Sequence, residues 1–154
     1  MSERADDLIG IPMYEREAAA PAGGEAADAV LAAVEARPIP DGDPLPAVLL
    51  PVWTRPAGEH VALEQPLQLH FDLKERFGLP EGLMTGCSTS YLVPVHDGDR
   101  LRSVQVLRSV GEPRATRLGT GREWVIDVEH RNQDDELVGV ERWTGFGYFP
   151  AEAP

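Results

Sequence analysis

Cysteine is nearly missing from this chain: Cys87 stands alone among 154 residues. A lone thiol has no internal partner, which excludes a disulfide-stapled scaffold and points to a reducing compartment, the cytoplasm. Positive charge is scarce as well, with 14 Lys and Arg against 26 Asp and Glu and a formal net charge of −12. Such a surplus repels a phosphate backbone and an anionic membrane surface, so nucleic-acid and lipid binding are excluded as the main activity. Long apolar runs are absent. The longest, AVLLPVW from Ala47 to Trp53, falls far short of the ~20 residues that cross a bilayer. The opening MSERADDLIG is acidic and polar where an export leader is basic and then apolar. Histidine, the commonest general acid and base, does not occur between Met1 and Trp53.

What is present suits one soluble domain of ordinary size with a real core. Apolar residues make up 42% of the chain, with three Trp, three Tyr and four Phe, which is globular rather than disordered composition. Fourteen Pro and fifteen Gly imply many loops.

Residues 1–40 read as an N-terminal extension, partly mobile up to Ala22, with a short helix over Glu25–Arg37. Ala26, Val30, Ala33 and Val34 give that helix a narrow apolar stripe, and Pro38 and Pro40 stop it. In DGDPLPAVLLPVW the apolar residues are contiguous, which predicts burial on all sides. Asp43 is placed to cap a helix with Pro44 in its first turn, and Pro51 limits it to about two turns. A second short helix is expected where Leu69, Leu73 and Phe77 recur at spacings of four before Gly78 and Pro80.

From Met84 the period changes from helical to two. Ser88–Val95 and Leu101–Val110 read as strands joined by the HDGD turn at His96–Asp99, and Gly111–Arg114 turns the chain again. In Arg122–Arg131, Trp124, Ile126 and Val128 alternate with Glu123, Asp127 and Glu129, which predicts an antiparallel strand with one wet side. Asn132–Glu136 is a polar turn. In the last strand, Leu137–Phe149, Val138, Val140, Phe146 and Tyr148 share a face, and Gly139, Gly145 and Gly147 leave bare positions where a helix can come close. The expected fold class is α+β, an antiparallel sheet wrapped around one helix, with an open edge for a second copy or a second protein.

Two stretches carry a family resemblance: GLPEGLMTGCSTSYLVPVHDGDRL (Gly78–Leu101) and RLGTGREWVIDVEHRNQDDELVGVERWTGFGYFP (Arg117–Pro150). Tyr91, Pro94 and the Gly98-Asp99 turn, the LGTG approach at Leu118–Gly121, the polar hairpin at Asn132–Val138 and the aromatic ending together resemble the N-terminal half of MaoC-like dehydratases, the hot-dog-fold enoyl-CoA hydratases. The resemblance covers roughly Pro44 to Pro150. It implies a single hot-dog domain over residues 41–150 with a tail at 151–154, a curved antiparallel sheet wrapped around a central helix, and acyl-CoA held at an interface between two such folds.

Catalytic members of that family carry an Asp and a His in a D-x-N-P-x-H motif before the central helix, and this pair activates the water that adds to the double bond. The nearest counterpart here is DGDPLP, Asp41–Pro46, which lacks both Asn and His. The resemblance therefore implies no catalytic residue on this chain, no metal, no cofactor, and a partner: a catalytic MaoC-like subunit that supplies the Asp and His in a heterodimer or heterotetramer. Bulky acyl-CoA substrates, steroid side chains among them, suit a half freed from the constraints of its own site. The other classes in play are a binding or scaffold module that docks another acyl-CoA enzyme, and a thioesterase, against which stands the absence of any acid between Pro44 and Trp53.

The remaining chemistry-bearing residues have ordinary readings. His96, beside Asp97 and Asp99, is a turn histidine, and His60, His70 and His130 read as surface histidines in a loop, a helix and the wet face of a strand, without metal-ligand spacing. Cys87 reads as a small buried residue with no base in view. Asp127 and Glu129 read as charges that solvate their strand face. The glycines of LGTG and GFG are not followed by the Lys-Ser/Thr of a phosphate loop.

Overall fold

The computed structural model describes residues 5–54 and 67–152. Its strands are β1 (Pro12–Glu17), β2 (Glu81–Tyr91), β3 (Arg102–Val110), β4 (Arg114–Ala115), β5 (Gly119–Arg131) and β6 (Leu137–Pro150), and its α-helices are α1 (Gly24–Ala33), α2 (Leu50–Trp53) and α3 (Gln68–Arg76). All strand pairings are antiparallel. They form one curved sheet in the order β1-β3-β5-β6-β2, with β4 beside β5. Among the described residues no helix is long and apolar enough to cross a membrane.

The helix that the sheet wraps is α3. Its Leu69 and Leu73 are fully buried, and they share a core with Leu107 of β3 and with Trp124 and Ile126 of β5. The spacing of four that predicts this helix puts both leucines on one face. Its end is built as the sequence suggests. Gly78 takes a φ of +64°, its N–H donates to the Glu75 carbonyl, and the Leu79 N–H donates to the Lys74 carbonyl, the double bond of a Schellman motif.

The helix expected from Asp43 to Trp53 is much shorter. After a 3-10 turn at Ala47–Leu49, only Leu50–Trp53 is α-helical. Three prolines account for this: Pro44 and Pro46 hold the chain extended ahead of the turn, and Pro51 is tolerated only in the first turn, where its missing N–H has no partner to lose. Contiguity does signal burial, for Leu49, Leu50 and Trp53 pack with Leu45, Val95, Leu101 and Val138 in a second core. The N-terminal segment contributes more than composition suggests. β1 is an edge strand of the sheet, paired with β3, in a stretch where composition predicts a mobile chain.

The glycines of β6 give the helices their close approach. A Cβ on Gly145 would lie 2.6 Å from Trp124 Nε1 and 2.8 Å from His70 Nδ1, one on Gly147 would lie 2.4 Å from Trp124 Cη2, and one on Gly139 would lie 2.6 Å from Leu50 Cδ2. Gly145→Ala is therefore expected to destabilise the protein by about 1–3 kcal/mol through overpacking. Gly86→Ala, where nothing lies nearer than 3.9 Å, should be close to neutral. Urea unfolding of the two variants checks the difference.

Candidate functional site

Period-two alternation sorts the side chains of β2 and β6 onto two faces. On the concave face, which carries the helices, the register sets Tyr91 against Gly139, Thr89 against Glu141, and Cys87 against Trp143. Farther along, Gly82 and Gly145 lie under His70 of α3. At the Cys87–Tyr91 end Leu50 of α2 lies over Gly139, while Cys87, Thr89 and Tyr91 are all exposed. At that end an apolar cavity of about 230 Å³ opens between α2 and the end of β2, walled by Leu45, Leu50, Tyr91, Leu92, Val93 and Val138.

Two residues along the strands from Tyr91 and Gly139 lies a partly buried polar pair. The Nε2 of His130 is 2.9 Å from a carboxylate oxygen of Glu141. His130 is only 2% exposed, not a surface histidine on a wet face. Its even parity with Trp124, Ile126 and Val128 is the signal that assigns it to the inner face. Nearby, Gln105 reaches up from β3, and its side-chain oxygen accepts the Leu69 N–H. A helix N-terminus is a ready anion site, but at α3 a donor of that first turn is already taken by the sheet.

His70 is the second misplaced histidine. It is 4% exposed, and its Nδ1 accepts the Trp124 indole N–H at 3.0 Å. Burial, and then the nearby Lys74 ammonium, hold its pKa down at about 4. Its spacing of one from Leu69 and three from Leu73 puts it at the border of the buried face, a position that sequence alone leaves open. Cys87 is exposed rather than buried. Desolvation, and then the Glu141 carboxylate, raise its pKa, the opposite of what a thiolate nucleophile needs. His60 lies outside the described residues.

Asp127 does not solvate its face. It is 2% exposed on the convex side, clamped by Arg142 through two hydrogen bonds of 2.7 and 2.8 Å and by Arg108 Nε at 2.8 Å. The hydrogen bonds from Arg142, aided by Arg108 and opposed by burial, pull its pKa below the usual value. Glu129 is also paired, with Arg108 and Arg131.

The DGDPLP segment lies beside the His96–Asp99 turn, as expected a surface feature. Asp41, Asp43, Asp28, His96 and Asp97 line a polar groove of about 560 Å³ against α1, which shares Leu45 with the apolar cavity. Among the described residues no three His, Cys, Asp or Glu are grouped to hold a metal ion.

Neither the protein-family models nor the curated proteins contain a significant match to this sequence. Solved structures do match. A chain of the ChsH1-ChsH2 complex from Mycobacterium tuberculosis is similar with a TM-score of 0.65 and 21% identity, over 93% of this chain and 87% of that one. The chain has the hot-dog fold. A hypothetical thioesterase with coenzyme A from Streptococcus pneumoniae is similar at 20% identity and a TM-score of 0.38, over 62% of this chain and 67% of that one. The smu.793 protein of Streptococcus mutans, bound to acetyl CoA, is similar at 18% identity and a TM-score of 0.35, over 57% and 68%. At these identities the likeness bears on the fold.

The buried His70 makes stability depend on pH. With a folded pKa of about 4 against 6.5 when exposed, the unfolded chain takes up the proton first, so stability is highest above pH 6.5 and falls as pH drops toward 4, by about 3 kcal/mol. Asp127, whose folded pKa is depressed below 3.8, contributes stability that is lost only at still lower pH. Urea unfolding at pH 7 and pH 4.5 should show the loss in the wild type and a flatter dependence in His70→Phe.

Proposed function

We propose that this chain is a non-catalytic, MaoC-like accessory subunit of a heteromeric enoyl-CoA hydratase, working in the cytoplasm beside a catalytic hot-dog subunit that supplies the Asp and His. The observation that carries this reading is the pairing of an open edge with an empty motif. Among the described residues β2 is an edge strand hydrogen-bonded only to β6, exposed over nearly all its length, and without a charged side chain from Gly82 to Tyr91. An edge so long and so unguarded is a template for another strand. DGDPLP, meanwhile, offers two carboxylates and no histidine in its own segment, and an α3 N-terminal donor that a ligand oxygen would seek is held by Gln105.

In this reading the chain lends the partner a wall of the acyl pocket. The apolar cavity at Leu50, Tyr91 and Val138 supports an acyl ligand, and bulky acyl-CoA thioesters, steroid side chains included, are the substrates proposed. The likeness to a chain of a two-component complex supports a heteromeric arrangement.

A thioesterase is the second reading, and one observation reopens it. The wrapped helix is α3, not the Pro44–Trp53 segment, and α3 carries Asp72 and Glu75. Asp72, however, accepts hydrogen bonds from Gln68 and from the Tyr14 hydroxyl. That places it toward β1, at the far side of the sheet from β2, and leaves it poorly placed to activate water at the open edge.

Purified alone, the chain is expected to leave enoyl-CoA unchanged, and hydration should appear only with a catalytic hot-dog subunit. Turnover by the isolated chain, followed by loss of the ultraviolet absorbance of the conjugated thioester, is the result against it. Ser88→Lys, a charge placed on the edge strand, should lower the native mass of the assembly to that of the separate chains while leaving the circular dichroism unchanged.

A further inference from the structure

The strand carboxylates of β5 and β6 divide by face. On the convex side each has an arginine: Glu123 has Arg114, Asp127 has Arg108 and Arg142, and Glu129 has Arg108 and Arg131. Glu141 lies on the concave side, and its partner among the described residues is the Nε2 of His130 at 2.9 Å. An ionised carboxylate only accepts hydrogen bonds, so the proton of this contact sits on Nε2. The other ring nitrogen, Nδ1, is buried without a partner, and a second proton there would be a buried donor with no acceptor. Among the described residues Glu141 thus has a hydrogen bond and no arginine or lysine. Its side chain keeps 20% of its surface open, so a cation can still reach it.

The register says where that cation comes from. Glu141 of β6 stands directly opposite Thr89 of β2, and beyond β2 the sheet has no further strand among the described residues. A strand paired to β2 would set one side chain beside Thr89 on the same face, two strand spacings or about 10 Å from Glu141. Thr89 and its concave neighbour Cys87 are small and exposed, so a long side chain can lie across them. The field of the carboxylate already reaches this edge, for desolvation and then Glu141 raise the pKa of Cys87. A net charge of −12 favours a basic neighbour in general, and the planar fork of arginine is the donor set that best matches a carboxylate. A second copy of this chain pairing through its own β2 cannot provide it, because β2 carries no charge from Gly82 to Tyr91. We propose that Glu141 is a specificity-determining contact for the partner chain, receiving an arginine that projects over Thr89 from the strand laid along β2. The inference rests on the reading of β2 as the partner's docking edge, and it adds the chemistry by which a foreign strand is preferred to a second copy.

The test is fluorescence anisotropy of two labelled strand peptides titrated with the full chain at low salt. Both peptides alternate threonine and valine, and they differ only at the central residue: arginine in one, citrulline, its uncharged isostere, in the other. The arginine peptide is expected to bind about ten-fold tighter, the effect of one hydrogen bond to a charged group. Glu141→Gln, which keeps an acceptor oxygen for His130 and should leave the circular dichroism unchanged, is expected to erase that preference. Asp134→Asn, which removes an equal charge from an exposed turn, should keep it. Equal affinity for the two peptides in the wild type, a preference that survives Glu141→Gln, or one lost equally in Asp134→Asn overturns the inference and leaves β2 standing as a docking edge. A doubled native mass of the chain alone that the arginine peptide does not dissociate also overturns it, in favour of a second copy. Failure of both peptides to bind overturns the inference and the docking edge together.

Discussion

The fold depends on how closely a helix can approach the sheet, and that distance is set by the missing side chains of β6. With Gly145 and Gly147 beneath them, Trp124 and His70 pack side by side, and the indole N–H finds the imidazole as its acceptor. The contact places α3 over the middle of the sheet. It also leaves Cys87, Thr89 and Tyr91 on the concave face exposed. Position of the helix and openness of the edge are thus two results of one packing constraint, since a short helix of nine residues cannot cover strands of eleven to fourteen.

The two faces of the sheet solve the problem of charge differently. On the convex face arginines from β3, β4, β5 and β6 neutralise the strand carboxylates, and the buried Asp127 links three strands through its two arginines. Burying a charge is tolerated there because guanidinium donors answer both carboxylate oxygens. On the concave face the polar groups are few, and each meets one particular neighbour. Gln105 takes one donor of the helix N-terminus, His70 receives an indole, and His130 meets Glu141. The face that looks wetter in the sequence is the tied one, and the face that looks apolar keeps the less satisfied groups.

Much of this was legible from residues alone. The alternation of β5, the turn chemistry of His96–Asp99 and Asn132–Glu136, the helix ending at Gly78 and the bare positions of β6 all express local rules, and the fold class follows from them. What local rules miss is decided by tertiary context. The segment Asp43–Trp53 has the apolar content of a buried helix, yet prolines at 44, 46 and 51 withhold its hydrogen bonds. His130 shares the parity of Trp124 and Ile126, but its polarity suggests the opposite face. Its burial becomes tolerable only through Glu141, a partner on the neighbouring strand that the spacing of residues does not reveal. β1 is invisible in the sequence because six residues that open on a proline and end in three successive charges, Glu15, Arg16 and Glu17, pair at an edge, where burial asks little of the side chains.

The uncharged edge also bears on how the protein must be made. A strand that offers ten successive residues without a charge will pair with whatever extended segment it meets, including its own copies. An uncovered β2 is therefore the hazardous condition for the protein, and a neighbour laid along that strand is the safeguard its geometry calls for.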